Sequence, residues 1–234
     1  MELTLVDKKQ ETKDVFSFYF QPPSPISWQP GQFMIYSLPH QNSDVRGIMR
    51  FFTISSAPFE NYITITTKID KNNGSSFKKA LMDMKAGQKI QAKGPDGNFI
   101  LDNLSRDYIF IAGGVGITPF RSILTQISNQ KSVIRNQQIS ITLFYANKSK
   151  DNILFKDELD EAKKNNPNLK IEFILNPRHI DEKTLKTGIR DFQKPVFYIS
   201  GPDQMVESLV NLLKTLGVQR KNIKEDYFSG YDKY

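Results

Sequence analysis

The sequence contains no cysteine and only 2 histidines among its 234 residues. Without thiols the chain can form no disulfide, thiolate zinc site, cysteine nucleophile or cysteine-ligated iron–sulfur cluster. Two histidines are also too few for a metal site built from several imidazoles. We therefore expect no resident metal.

Long apolar segments are missing as well. No run approaches the roughly 20 residues that a membrane-spanning helix needs. The first residues, Met1–Lys9, are too charged and too short in apolar core for a secretory signal. These two absences predict a cytoplasmic protein with no membrane span.

Acidic residues are fewer than basic ones, with 25 Asp and Glu against 32 Lys and Arg, and the net charge is +7. A basic balance can indicate nucleic acid, a membrane surface or an acidic protein partner. The cations stand in scattered pairs such as Lys8-Lys9 and Lys78-Lys79, and they form no basic tract. We therefore expect no nucleic-acid partner.

The first half of the chain has the pattern of short strands. Segments rich in β-branched and aromatic residues are separated by turn signals such as Pro30-Gly31 and Asn72-Asn73-Gly74. This pattern is typical of an antiparallel β-barrel that is small and closed. A short helix is predicted over Ser75–Met84. The predicted strands are Leu3–Val6, Val15–Phe20, Gln32–Leu38, Phe51–Ile54 and Tyr62–Ile69.

In the second half, apolar strands alternate with helical segments. Uninterrupted apolar strands in such an alternation predict a parallel sheet that is covered on both faces. The fold class is therefore two-domain, β followed by α/β, with a barrel over residues 1–103 and a nucleotide-binding domain over residues 104–234. The predicted strands are Tyr108–Ala112, Ile139–Tyr145, Leu169–Leu175 and Val196–Ile199, and the predicted helices are Phe120 to about Gln130, Asp157–Lys164 and Asp203–Leu216.

Three segments are candidates for ligand binding. Gly113-Gly-Val-Gly-Ile-Thr-Pro119 follows a buried strand and precedes a helix, where backbone N–H groups favour a phosphate; the alternative is a plain strand-to-helix turn. Arg50, beside the aromatic and hydroxyl residues of Phe51–Ser56, is either an anion clamp next to a flat ring or a surface arginine. The turn Gly74-Ser75-Ser76 is either a second phosphate cradle or a simple helix cap.

The order and spacing of these motifs resemble the ferredoxin–NADP reductase superfamily of flavoenzymes over almost the whole chain. Phe51–Pro58 is also similar to the flavin segment of ferric reductases and NADPH oxidases. Phe52 stands where many relatives have tyrosine, and Ser200 stands where they have cysteine. The matching segments are Trp28-Gln-Pro-Gly-Gln-Phe33, Arg50-Phe-Phe-Thr-Ile-Ser-Ser56, Gly74-Ser-Ser-Phe-Lys78, Gly94-Pro-Asp-Gly-Asn-Phe99, Gly113–Pro119, Tyr145-Ala-Asn-Lys-Ser149 with Phe155–Leu159, Ser200-Gly-Pro-Asp-Gln-Met205 and Phe228-Ser-Gly-Tyr231.

The resemblance implies that the first domain holds FAD. Arg50 would pair with the pyrophosphate, Phe52 would lie against the isoalloxazine ring, and Thr53 would place its hydroxyl near N5. Further contacts are implied for the residues of the short turn that opens the helix and for those of the strand that flanks the flavin, with Ser56 supporting a turn. These residues are Gly74, Ser75, Ser76, Thr66, Thr67 and Lys68.

The resemblance also implies that the second domain binds NAD(P)H. Thr53 and Ser200 would be the catalytic residues, although Ser200 has the alternative of a plain strand-end serine. Lys148 and Arg178 follow strand ends where NADPH-using members carry basic residues, so NADPH is preferred to NADH; solvated surface charges are the alternative. The residues implied near the pyrophosphate are Gly113, Gly114, Gly116, Thr118 and Pro119, and those near the nicotinamide are Ser200, Gly201 and Pro202.

Such a flavoprotein passes hydride from NAD(P)H to FAD and then electrons to a separate acceptor. The absence of cysteine argues against an internal iron–sulfur module. A ferredoxin- or flavodoxin-type carrier is the expected acceptor, because the positive charge complements an acidic partner. The iron–sulfur component of an oxygenase, a ferric chelate and a membrane partner are alternatives. The rival class is a non-catalytic flavin- or nucleotide-binding regulator on the same scaffold.

Overall fold

The computed structural model describes residues 1–70, 72, 74–103, 106–129 and 139–228. The chain forms two compact units, Met1–Ile100 and Leu101–Tyr234. The end of the helix predicted to reach about Gln130, and the aromatic tail beyond Phe228, lie outside the described residues. Within the described ranges, no helix is long and apolar enough to cross a membrane.

The first unit is a six-stranded antiparallel sheet. Its strands are β1 (Glu2–Gln10), β2 (Val15–Gln21), β3 (Phe33–Ser37), β4 (Met49–Thr53), β5 (Ile63–Lys68) and β6 (Lys89–Asp96), and helix α1 (Ser76–Asp83) connects β5 to β6. The strand order is β4-β3-β6-β1-β2-β5. The sheet curls into a half-barrel, and the Ser55 N–H donates to the Thr64 carbonyl at 2.9 Å beyond the end of β4. The predicted antiparallel β domain is confirmed.

Alternation along the strands produces the core of this unit. In β2, Phe18 and Phe20 are fully buried, whereas Phe16 and Tyr19 are half-buried. Helix α1 contributes Phe77 and Leu81 to the same core. The helix therefore packs against the sheet and is fixed by apolar burial at that position.

Strand β6 includes the first residues of Gly94–Phe99, one of the segments that resemble the family and one that the family uses as a turn. Ile90 and Ala92 are its buried apolar side chains, and they alternate with the exposed Lys89, Gln91 and Lys93. Two apolar residues are too few to produce a strong strand pattern in the sequence, so β6 was not predicted. The motif Gly94–Phe99 begins inside β6, and the turn itself is centred on Gly97, which has a φ of 106°.

The second unit is a five-stranded parallel sheet flanked by helices. Its strands are β7 (Asp107–Gly113), β8 (Ser140–Asn147), β9 (Leu169–Leu175), β10 (Val196–Gly201) and β11 (Ile223–Tyr227). The helices are α2 (Thr118–Asn129), α3 (Lys156–Asn165), α4 (Glu182–Gly188) and α5 (Asp203–Thr215). The predicted parallel sheet is confirmed; α4 and β11 are additions that the sequence pattern did not predict.

The strand order β11-β10-β7-β8-β9 creates a switch point beside β7. From β7 the chain moves outward to β8 and β9 on one side, then returns to β10 and β11 on the other. In open α/β sheets the carboxyl ends of strands at such a point form the crevice in which ligands bind. The loops after β7, β8 and β10 are therefore the expected ligand-binding loops of this unit.

Candidate functional site

Arg50 lies on β4 and is folded against its own domain. One guanidinium nitrogen, Nη2, lies 3.0 Å from Asp44 Oδ1. The other, Nη1, donates to the backbone carbonyls of Arg46, Gly47 and Met49 at 2.6–2.9 Å. The guanidinium carbon lies 5.5 Å from the centre of the Phe77 ring. Arg50 Nε is buried and makes no hydrogen bond to any of the described residues, so the arginine retains one donor for a further partner.

The N-terminus of α1 faces the same place. Ser75 caps the helix, and its hydroxyl accepts from the Lys78 N–H at 3.3 Å. The Ser76 N–H donates to Asp44 Oδ2 at 3.0 Å, and the Asp44 N–H donates to Ser76 Oγ at 2.8 Å. Gly74 is required by the preceding turn, because a Cβ there would lie 2.1 Å from the Asp70 carbonyl oxygen. An open cavity of about 660 Å³ is lined by α1 and residues 40–46.

The aromatic side chains of β4 point to opposite sides. Phe52 is half-buried and packs against Tyr36 and Phe77, with ring centres 5.8 Å away in both cases. Phe51 is 66% exposed. Phe52 therefore belongs to the wall that also carries Arg50 and Phe77, and part of its surface remains accessible.

The hydroxyl residues after β4 and on β5 hold the sheet together. Ser56 Oγ donates to the Tyr62 carbonyl at 2.6 Å and accepts from the Thr64 N–H at 3.1 Å. Thr66 Oγ1 lies 2.7 Å from Ser17 Oγ and 2.9 Å from Ser55 Oγ. The hydroxyls of Ser56 and Thr66 thus already have structural partners.

The other predicted contacts near this edge are buried or paired. Thr53 and Thr67 are both buried, with exposed fractions of 7% and 1%. Lys68 Nζ forms an ion pair with Asp14 Oδ2 at 3.0 Å. The residues that the structure brings together around an anion site are therefore Arg50, Ser75 and Ser76, with Phe52 beside them.

The glycine loop of the second unit is a 3₁₀ turn, Gly114–Ile117, between β7 and α2. Gly114 has a φ of 52°, and a Cβ there would meet nothing within 4 Å. A Cβ on Gly116 would lie 2.3 Å from the Ser200 carbonyl oxygen, and one on Gly113 would lie 2.3 Å from Met205 Sδ. Gly113 and Gly116 therefore allow the loop to approach β10 and α5 closely, whereas Gly114 faces open space.

Helix α2 begins with Thr118 and Pro119 and has no acidic residue in its first turn. The first N–H groups of a helix, together with its dipole, favour an anion. Thr118 is 1% exposed, and its Oγ1 is buried without a hydrogen-bond partner. An orphaned hydroxyl at a helix N-terminus is consistent with a ligand that would satisfy it.

Asn147 is a candidate that the sequence interpretation did not single out. It ends β8, is 8% exposed, and both its amide nitrogen and its amide oxygen are buried without hydrogen-bond partners. Its neighbour Tyr145 donates its hydroxyl to the Gly114 carbonyl at 3.0 Å and accepts from the Leu154 N–H at 3.3 Å. Burial raises the pKa of Tyr145, and contacts of its hydroxyl with the Leu154 backbone and the Asn147 side chain oppose that rise only in part, so the hydroxyl stays protonated. The sequence signal that could have identified Asn147 is its position, as a polar residue at the carboxyl end of an apolar parallel strand.

Ser200, Gly201 and Pro202 lie at the end of β10, beside the glycine loop. Ser200 is fully buried, and its Oγ lies 3.5 Å from Oδ2 of Asp226, the residue opposite it on β11. Gly201 accepts a hydrogen bond from the Phe228 N–H at 3.0 Å, and Pro202 precedes α5. The carboxyl edge thus combines the glycine loop, Asn147 and the Ser200–Pro202 segment.

The two cations expected near the adenosine ribose lie on the surface. Lys148 is exposed directly after β8. Arg178 follows β9, has a side chain that is 58% exposed, and pairs with Glu172 at 2.6 Å. Both follow the carboxyl ends of neighbouring strands. In the described part of the chain, no group of three or more His, Cys, Asp or Glu residues is placed to hold a metal ion.

These features fit a dinucleotide in each unit. In the first unit, Arg50 and the Ser76 N–H converge on one carboxylate, which shows that the place accepts an anion. In the second, Thr118 Oγ1 and the Asn147 amide lack partners at the edge where α/β sheets bind ligands. The donor sets match the negative charges and hydroxyls of flavin and nicotinamide dinucleotides.

Comparison with known proteins agrees with this arrangement. Residues 2–100 match the family model described as an oxidoreductase FAD-binding domain, and residues 110–211 match an oxidoreductase NAD-binding domain. Flavohemoprotein A of Dictyostelium discoideum is 27% identical over 96% of this chain and 59% of its own length. One subunit of the Na⁺-translocating NADH-quinone reductase of Pseudomonas aeruginosa (strain UCBPP-PA14) is 32% identical over 64% of this chain and 39% of its own.

Among solved structures, the ferredoxin–NADP⁺ reductase of Plasmodium falciparum has the same fold. The TM-score is 0.81 at 21% identity, with 97% of this chain and 95% of that chain covered. The two domains define a class of protein, the flavin- and nicotinamide-dependent oxidoreductases. Residues 2–100 and 110–211 therefore belong to the oxidoreductase FAD-binding and NAD-binding domain families, and the chain has the fold of a ferredoxin–NADP⁺ reductase, so the predicted resemblance and the pair of cofactor-binding domains are confirmed. The chain spans about two fifths to three fifths of the length of the two curated relatives.

Proposed function

We propose that this chain is an FAD-dependent NAD(P)H oxidoreductase that delivers electrons to a separate acceptor. The observation that carries the proposal is that each unit presents a helix N-terminus with polar groups suited to a dinucleotide. One is α1 with Arg50; the other is α2 with Thr118. When bound, the cofactors would supply the redox chemistry, which is transfer of hydride from nicotinamide to flavin and of electrons to the acceptor, while the chain binds and orients them.

The first domain would hold FAD through its diphosphate and its ring. Arg50 and the N–H groups at Ser75 and Ser76 are placed to bind the diphosphate, because charge-assisted donors are the strongest partners for phosphate oxygens. Phe52 provides an accessible apolar surface for the ring, without the hydroxyl of a tyrosine. Thr53 is proposed to donate its hydroxyl near the reacting edge of the flavin.

The second domain would hold NAD(P)H at the carboxyl edge of its sheet. The N–H groups of the glycine loop and of α2 would bind the pyrophosphate, with Thr118 Oγ1 as an added donor. Asn147 would supply both a donor and an acceptor to the adenosine half. Ser200, held by Asp226, would lie near the nicotinamide. NADPH is proposed over NADH because Lys148 and Arg178 follow the ends of neighbouring strands and can bind a ribose phosphate.

The proposed acceptor is a ferredoxin- or flavodoxin-type carrier, favoured by the net charge of +7. The similarity to a flavohemoprotein over 96% of this chain supports a haem protein as the second candidate. An oxygenase iron–sulfur component and a ferric chelate are further acceptors for the same reduced flavin.

The test begins with the purified full chain. We expect a bound yellow flavin, released as FAD on denaturation and bleached under anaerobic conditions by NADPH. Reoxidation of the bleached protein is then timed with ferredoxin, flavodoxin, a haem protein and ferric citrate. A protein that binds flavin but is not bleached by either nicotinamide nucleotide would instead be the non-catalytic regulator.

A further inference from the structure

Asp44 occupies the place proposed for the FAD diphosphate. It lies in the β3–β4 loop (Leu38–Ile48), and its two carboxylate oxygens reach the two elements that form the cradle. Oδ1 lies 3.0 Å from Arg50 Nη2, and Oδ2 accepts from the Ser76 N–H at 3.0 Å. A carboxylate bridging an arginine and a helix N-terminus uses the same donors as a phosphate.

Asp44 is held there as an anion. Although partial burial favours the protonated acid, hydrogen bonds from the Ser76 and Arg46 backbones and the charges of Arg50 and Arg46 hold the pKa of Asp44 well below its usual range. The Arg46 N–H donates to Oδ1 at 2.9 Å. At neutral pH the carboxylate therefore carries a full negative charge.

The loop that carries Asp44 contacts α1 through the side chains of Asp44 and His40. His40 Nε2 lies 2.8 Å from Ser76 Oγ, and the His40 ring packs edge-on against Phe77. On either side of Asp44, whose side chain is 27% exposed, the neighbouring side chains of the loop are exposed. Val45 in particular is fully exposed. Few apolar contacts would be lost if residues 41–46 moved away. What holds this segment is polar: Asp44 contacts Arg50 and Ser76, and Arg50 donates to the Arg46 and Gly47 carbonyls. His40 holds the start of the loop against α1 and need not move with Asp44. The exposed residues are Gln41, Asn42, Ser43, Val45, Arg46 and Ile48.

We propose that Asp44 is an internal anion that fills the diphosphate cradle in the flavin-free protein and must leave it when FAD binds. Asp44 then lowers the affinity and slows the association of FAD, while it stabilises the flavin-free domain. This inference rests on the proposed function, because it takes Arg50 and α1 as the diphosphate site. Arg50 Nε is available to a second anion, but the single Ser76 N–H already donates to Asp44. A phosphate that takes this N–H repels the carboxylate at contact distance, so Asp44 must move away.

Asp44→Asn tests the inference in the full chain, stripped of flavin and titrated with FAD by quenching of flavin fluorescence. The variant keeps the shape of the side chain but removes its charge. We expect its Kd for FAD to fall about tenfold and its association rate to rise. The thermal midpoint of the flavin-free variant should fall, because the Arg50 and Ser76 contacts weaken. A residue that merely supports the site would lower both stability and affinity.

Asp83→Asn is the matched control. Asp83 is exposed at the far end of α1 and lines the rim of the same cavity. Its substitution removes the same charge without touching Arg50 or Ser76, and the Kd should change by less than threefold. Asp44→Ser provides a second uncharged variant in case Asn disturbs the fold. Inorganic pyrophosphate is a parallel probe, and we expect it to stabilise the flavin-free Asp44→Asn protein more than the wild type.

The outcomes separate the two proposals. An Asp44→Asn protein that binds FAD and pyrophosphate no more tightly than the wild type overturns the inference, as does an equal gain in Asp83→Asn. If the wild type binds no FAD at all, the proposed function fails. The pyrophosphate titration then still decides whether Asp44 competes with an anion for Arg50 and Ser76.

Discussion

At the scale of single residues, Arg50 is the side chain on which flavin retention should depend most. Its side chain is 14% exposed, and its guanidinium lies between Asp44 and the Phe77 ring. Loss of charge-assisted hydrogen bonds costs about 1.5–3 kcal/mol, so Arg50→Ala should weaken FAD binding by about 10- to 100-fold. The check is the Kd for FAD and the flavin content after gel filtration.

Arg46→Ala is the control for that experiment. Arg46 lies in the same loop but its side chain is 55% exposed, and its ion pair with Asp44 is longer, at 3.4 Å. An exposed pair of this kind contributes little. Arg46→Ala should therefore retain its flavin. Full flavin content in purified Arg50→Ala would show that the diphosphate binds elsewhere.

Substitution of Asn147 tests whether its amide binds NAD(P)H. Among the described residues neither amide atom makes a hydrogen bond of good geometry, and the contact with the Tyr145 hydroxyl is the one interaction that Asn147→Ala removes, so the thermal midpoint should stay nearly unchanged. If the amide binds NAD(P)H, its loss should raise the KM about fivefold, without loss of FAD. Steady-state kinetics and thermal denaturation of the same samples give both readouts.

Asn152→Ala is the matched control, since Asn152 lies in the following loop and its Oδ1 accepts from Ser149 Oγ on the surface. Its KM should equal that of the wild type. An Asn147→Ala protein that is clearly less stable but has an unchanged KM would assign Asn147 to the fold.

Arg178 and Lys148 bear on the choice between nucleotides. The ion pair of Arg178 with Glu172 is exposed, so its loss should change stability by less than about 1 kcal/mol. Arg178→Ala and Lys148→Ala should each raise the KM for NADPH about tenfold and leave that for NADH unchanged, because only NADPH carries the ribose phosphate. Lys170→Ala, at the opposite end of β9, is the control. If the ratio of kcat/KM for NADPH to that for NADH is unchanged in both variants, Lys148 and Arg178 do not bind the ribose phosphate.

At the scale of elements, the glycine loop depends on its packing against β10. A Cβ on Gly116 would press on the Ser200 carbonyl, which cannot move without the strand, so Gly116→Ala should destabilise the protein by about 2 kcal/mol. Gly114→Ala meets no neighbour and costs only about 1 kcal/mol for its left-handed backbone. We expect Gly114→Ala to keep its FAD but to be reduced more slowly by NAD(P)H.

Anaerobic reduction kinetics and chemical denaturation of both variants test this contrast. The sequence predicted that Gly116 lets the backbone approach a phosphate. The structure adds a second reason for glycine, which is the close packing of Gly116 against the Ser200 carbonyl of β10. Wild-type reduction rates in Gly114→Ala would show that the open space beside Gly114 is not used by the nucleotide.

The elements that the sequence predicted are those with a strong hydrophobic pattern. β7 and β10 are almost entirely buried, so their apolar runs stand out. β11 has one buried residue, Ile223, and α4 has two, Thr184 and Leu185, so neither pattern rises above its polar neighbours. Such elements are fixed by pairing and packing with the rest of the sheet, which a local pattern does not contain.

The candidate site was predictable to a similar degree. Arg50 and the glycine loop carry motifs that a single sequence displays. Asp44 and Asn147 do not, because their significance lies in burial and in hydrogen bonds made or missing between distant segments. Asp44 meets Ser76 across 32 positions of sequence. No periodicity or spacing encodes such a contact.

At the scale of the whole molecule, the net charge of +7 bears on the acceptor. Opposite net charges accelerate the encounter of two proteins, and salt screens that attraction. Reduction of an acidic ferredoxin by the NADPH-reduced protein should therefore slow at least about tenfold as ionic strength rises from about 0.01 M to about 0.5 M, where the Debye length becomes shorter than the reach of the field. Stopped-flow traces at matched protein concentrations measure this rate. Reduction of menadione, an uncharged quinone, is the control and should change little over the same range. A ferredoxin rate as insensitive to salt as the menadione rate would exclude charge steering and favour an uncharged acceptor.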